Sequence, residues 1–146
     1  MRGRLLLRNL VRVSRFGLAA LFLFAAGAKL FTLQEFTANL ANLVEARWVW
    51  PAAFAVIASE LLAAVLLLWP RTARLGAIWS AVMLAGFAGY ALYYRYGLGN
   101  TEGLECGCFG RIFGSQLGVT TALRNLLLLI PAAIVIFGWQ KAKAKR

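Results

Sequence analysis

The chain has 146 residues, 62% of them hydrophobic and only 14% charged, with a mean hydropathy of +0.73. A soluble domain of this length buries too little of its own surface to hide that much apolar area, so hydrocarbon must be part of its solvent. Sixteen Lys and Arg against five acidic residues give a net charge of +11, but the basic residues cluster at the ends of apolar runs, which excludes a nucleic-acid binder and points to membrane topology.

Four apolar runs follow in chain order, each close to the roughly 20 residues a helix needs to cross about 30 Å of hydrocarbon. Backbone groups in lipid must be satisfied within their own segment, so the runs are read as helices. The first covers about residues 11–32. Its basic lead from Arg2 to Arg15 and the Ala26-Gly27-Ala28 triplet also outline a signal peptide, but the segment is read as a retained helix. The second covers about 51–69, with Pro51 in the first turn, where no backbone donor is needed. The third covers about 75–95. The fourth covers about 117–139, with an internal Pro131 that should kink it rather than end it. No low-complexity tract or linker interrupts them, so residues 1–146 are expected to form a single membrane domain. The fold class is an all-α integral membrane protein, a bundle of four transmembrane helices.

Charge sets the expected orientation. Arg2, Arg4, Arg8, Arg12 and Arg15, then Arg71 and Arg74, then Lys141, Lys143, Lys145 and Arg146 all fall on one side, with no acid among them. The other side carries Arg47, Arg95 and Arg111 with Glu35, Glu45, Glu102 and Glu105. The excess of basic residues belongs in the cytoplasm, so both termini are expected there. Trp48, Trp50, Tyr93, Tyr94 and Tyr96 would then form an aromatic belt at the outer interface, and Trp69 and Trp139 at the inner one. The expected location is the bacterial inner membrane.

The long outer connection, residues 96–116, is rich in glycine and holds both cysteines as Cys106-Gly107-Cys108. On the extracytoplasmic side thiols tend to pair. A disulfide across a single residue closes a small, strained ring, which Gly107 tolerates best, and a strained bond suits exchange better than stapling. Arg111 would favour a thiolate and Glu105 would oppose it. Alternatives remain: a local clip, or two unremarkable thiols. No metal site is expected, since a closed zinc centre wants four ligands and the chain has no histidine. The same absence excludes bis-histidine haem and imidazole acid–base chemistry.

Three ionisable residues fall inside the runs. Taking about 1.5 Å per residue, Lys29 lies about 7 Å below the outer end of its helix, Glu60 about 13 Å and Arg124 about 10 Å. An unpaired charge there is costly, so they should face the bundle interior and pair, Glu60 with Lys29 or Arg124, with Asn125 and Ser59 as hydrogen-bond donors. A structural clamp is one reading of this polar layer. Tuning of the thiol pair, or binding of a polar or quinone head group, is another; no other cofactor is evident.

Gly27-Ala28-Lys29-Leu30, the stretch from Pro51 to Ser59-Glu60-Leu61-Leu62, Glu105-Cys106-Gly107-Cys108-Phe109-Gly110 and Arg124-Asn125 resemble the DoxX-like superfamily, most closely its methylamine-utilisation MauE branch. The resemblance runs from about residue 10 to 140, and the CGCFG element is its specific part. It implies a four-helix membrane protein that helps mature a disulfide-rich periplasmic dehydrogenase together with a thioredoxin-like partner, and hence a redox role for Cys106 and Cys108. The chain lacks the second cysteine pair and CxxC motif of quinone-linked disulfide-generating enzymes, so it has no evident relay to a quinone. The expected function is that of a membrane thiol–disulfide protein acting on a thioredoxin-like or other extracytoplasmic partner. The competing class is a small accessory subunit of a larger membrane complex, its Gly76, Ala81, Ala85, Gly86 and Gly89 suiting close helix contact.

Overall fold

The computed structural model describes residues 2–97 and 119–143; the side chains of residues 2, 4, 94 and 140–143 are not described. Five α-helices account for most of them: α1 (Arg2–Phe31), α2 (Leu33–Ala41), α3 (Val49–Leu68), α4 (Ala73–Leu92) and α5 (Val119–Lys143). A 3-10 turn, Ala46–Trp48, leads into α3, and a π-helical turn, Tyr93–Gly97, extends α4.

α1, α3, α4 and α5 form a closed ring in which α1 packs on α3 and α5, and α4 packs on the same two neighbours. Each is long and apolar enough to cross a membrane. The interior is made of small and medium side chains: Leu18 and Phe22 from α1, Ala63, Ala64 and Leu67 from α3, Ala77 and Leu84 from α4, Ala132 and Val135 from α5. Large apolar groups point outward instead, among them Phe54, Val65, Leu75, Val82, Leu127 and Phe137. In water that distribution would be self-defeating. In lipid, small residues inside let helices approach while large ones meet acyl chains.

Local chemistry explains the boundaries. α3 ends at Leu68 because Pro70 forces the preceding Trp69 into extended backbone, with ψ of 121°. The turn is closed by Thr72, whose hydroxyl donates to the Leu66 carbonyl at 3.0 Å. α4 then crosses α3 very closely at Gly76: a Cβ there would stand 2.7 Å from the Leu67 nitrogen and 2.8 Å from the Leu66 carbonyl carbon. Only glycine permits that approach. Pro51 sits in the first turn of α3, as expected, and α5 runs on through Pro131.

Two features differ from the sequence reading. The first connection, which lies outside the four expected runs, contains α2. α1 stops at Thr32, whose φ of −112° and ψ of 37° leave the helical region. Its hydroxyl bonds back to the Ala28 carbonyl at 2.9 Å. The chain then resumes as a short helix that lays Phe36, with Leu33 and Leu40, against Ala26, Ala53 and Ile57. The second difference is the start of α1, which begins near Arg2 rather than residue 11. Arg8 therefore joins the helix, and Arg15, counted among the charges of the basic lead, is buried.

The ring has two ends. One holds α2, the start of α3, the end of α4 and the start of α5. The other holds the N-terminal turns of α1, the α3–α4 turn and the C-terminal turns of α5. Residues 98–118, which include Glu105, Cys106, Gly107, Cys108, Phe109, Gly110 and Arg111, lie outside the described residues; they join α4 to α5 at the α2 end.

Candidate functional site

The described polar centre at the α2 end is an ion pair buried between α1 and α3. Lys29 Nζ donates to Glu60 Oε1 at 2.6 Å, and both residues are 1% exposed. The choice between Lys29 and Arg124 as partner for Glu60 thus falls to Lys29. Its stem does not run out to an interface. It turns inward, where the aromatic face of Phe36 lies 5.7 Å from the ammonium. α2 therefore closes the pair off with a ring, and that ring adds a favourable electrostatic contact to the cation.

The pair is incompletely satisfied. Glu60 Oε2 is buried and makes no hydrogen bond among the described residues. Ser59, expected to donate to Glu60, faces away toward α4: its hydroxyl accepts from Trp79 Nε1 at 3.1 Å and donates to Met83 Sδ at 3.4 Å. There it lines a lipid-facing groove of about 300 Å³ with Met83, Gly86 and Phe87. Adjacent helix positions point about 100° apart, so Ser59 and Glu60 cannot serve the same face.

α5 supplies the rest of the layer. Asn125 and Thr121, one turn apart, are both 1% exposed and face the interior. Asn125 Nδ2 makes no hydrogen bond among the described residues, so the expected donation to Glu60 is not made. Arg124, next in sequence, is half-buried with its Nε and Nη2 enclosed. The layer expected from helix depth thus contains an ion pair joining α1 and α3, and buried polar side chains on α5. No cluster of three metal-ligating side chains occurs among the described residues.

Phe36 is the site residue that sequence reasoning missed. Two signals for its helix were present: apolar residues at 33, 36 and 40, and the pattern Thr32-x-x-Glu35 that often opens a helix. Both are short-range, and the hydroxyl of Thr32 does not cap.

One comparison covers this ring of membrane helices. The family model described as methylamine utilisation protein MauE matches residues 7–138. The chain belongs to the MauE family. The match spans all four membrane helices, the Lys29–Glu60 pair and the Cys106-Gly107-Cys108 connection. No curated protein and no solved structure gave a match. The protein is therefore a multi-pass membrane protein of the MauE family, and its activity has to be argued from its own residues.

Proposed function

We infer that this MauE-family protein is a membrane-bound thiol–disulfide protein that exchanges electrons with an extracytoplasmic partner through Cys106 and Cys108. One observation carries the reading: the only two cysteines of a histidine-free chain are separated by one glycine, in the connection between two membrane helices. The basic excess at the opposite ends of those helices supports placing this connection outside the cytoplasm, with both termini inside. On that side an oxidised pair would receive a partner's dithiol. A partner thiolate attacks one sulfur, the Cys106–Cys108 bond breaks and a mixed disulfide forms. The partner's second thiolate then resolves it, leaving a partner disulfide and two reduced cysteines. Two electrons and two protons pass to the pair, and the disulfide of a thioredoxin-like protein would take them up in the next round.

The Cys108→Ala variant tests this. It should accumulate a reductant-sensitive adduct through Cys106, or Cys106→Ala the same through Cys108. If neither variant traps a partner and the double variant keeps full function in cells, the redox reading fails.

A second reading has its own observation. On the outer face of α4, a Cβ at Gly86 or Gly89 would meet nothing within 4 Å, so no described residue covers this small-residue face. An accessory subunit would seat it on a larger membrane partner. Mild-detergent purification should then recover a stoichiometric complex that Gly86→Leu disperses; a lone chain would count against it.

A further inference from the structure

The end of the ring opposite α2 holds a cation that the proposed redox chemistry does not use. Arg15, on α1, is only 8% exposed. Its guanidinium carbon lies 4.5 Å from the ring centre of Phe16 and 5.5 Å from that of Trp139 on α5. Ring contacts engage the flat face of a guanidinium and leave its in-plane N–H donors to be satisfied elsewhere. No hydrogen bond or carboxylate among the described residues meets them, and Nε is fully enclosed. α1 and α5 contain no acidic residue. Glu60, on α3, is held by Lys29, fourteen residues and about 21 Å farther along α1. No described residue supplies the counter-charge.

Position and neighbours say what kind of anion this is. Along α5, Val119 to Trp139 measures about 30 Å, the thickness of the hydrocarbon core; a core spanning that stretch would put Trp139 and Arg15 at its boundary, beside the phosphates. Val11, one turn before Arg15, packs so tightly on α5 that a Cβ at Gly138 would lie 2.5 Å from its Cγ2. The seam is closed there, and Arg15 lies on its lip. Arg8 and Arg12 share that lip by helical spacing and are exposed, which makes a strip of three cations.

We propose that Arg15, flanked by Arg8 and Arg12 and backed by Trp139, binds the phosphate of an anionic phospholipid at the α1–α5 seam. The guanidinium edge takes two phosphate oxygens, a geometry that suits arginine better than lysine. Arg8 and Arg12 add attraction for the net negative lipid and disfavour a choline head group. Exposed Phe16 offers the acyl chains an apolar wall. The site makes no use of the cysteines, so it stands or falls independently of the redox reading.

The delipidated full-length protein in non-ionic detergent, titrated with phosphatidylglycerol or phosphatidylcholine and read by native mass spectrometry, tests the site. One phosphatidylglycerol should bind at least about fivefold more tightly than phosphatidylcholine, the size of one basic contact at an anionic surface. Arg15→Gln should remove that preference, while Arg71→Gln, on the α3–α4 turn, should leave it intact. If Arg15→Gln does not fold, the double variant of exposed residues Arg8→Gln and Arg12→Gln should cut the preference by at least half. Equal binding of the two lipids would overturn the proposal. So would an unchanged preference in the variants, or displacement of the lipid by millimolar inorganic phosphate, which would make the site one for free phosphate.

Discussion

Lys29 Nζ and Glu60 Oε1 meet at 2.6 Å across the α1–α3 interface, from positions thirty-one residues apart in the chain. Neither group reaches solvent, so each is the other's means of staying charged inside the bundle. Such a pair adds little net stability over apolar residues of similar shape, but removing one member strands the other at a cost of about 3–5 kcal/mol. Glu60→Gln and Lys29→Met should each lower the midpoint of thermal unfolding in detergent markedly, whereas the double variant Lys29→Met, Glu60→Leu should recover most of the loss. A double variant whose loss equals the sum of the two single losses would show that the two residues act separately.

Phe36 covers the same pair from α2, and two substitutions separate its contributions. Phe36→Leu keeps most of the apolar contact with Ala53 and Ile57 but removes the ring from Lys29, and should cost about 1 kcal/mol. Phe36→Ala also opens a cavity and should cost about 3 kcal/mol. If α2 were detached from the ring, both would leave unfolding in detergent unchanged.

Two glycines of α4 should behave oppositely. Gly76→Ala drives a methyl into the α3 backbone at Leu66 and Leu67, which cannot give way like a flexible side chain, and overpacking of this kind costs about 1–3 kcal/mol. Gly86→Ala meets nothing within 4 Å and should leave the isolated chain as stable or stabilise it by up to about 1 kcal/mol, the gain of alanine over glycine inside a helix. Comparing the two variants by chemical denaturation in one detergent checks the pairing of α3 with α4 directly.

The proposed orientation is measurable with the two native cysteines. A membrane-impermeant maleimide added to intact spheroplasts, after mild reduction, should label Cys106 or Cys108 without lysis. Labelling that appears only after lysis would place the connection in the cytoplasm and reverse the topology.

Much of the architecture was legible because it depends on local composition. The segments around Pro51–Trp69 and Leu75–Tyr94 are near-continuous apolar runs, and their helices fall within two or three residues of the expected bounds. α2 was harder to see. Its helix is nine residues long and is held by docking Phe36 on α3 rather than by hydropathy. Arg15 was misplaced for a related reason: a basic residue near the start of an apolar run reads as a terminal charge, and only its contact with Trp139, from the other end of the chain, withdraws it from solvent.

Sequence alone determined that four helices cross the membrane, that a polar layer lies within them, and that both cysteines share one connection. Each follows from the identity and spacing of residues along a single strand of chain, since a helix in lipid satisfies its own backbone. Tertiary structure decided which polar residues meet. Glu60 takes Lys29 rather than Arg124, Ser59 turns to Trp79, and Phe36 closes over the ammonium. Those choices depend on how each helix is rotated about its axis, and the rotation is set by contacts such as Gly76 against Leu67, between segments that hydropathy treats as independent.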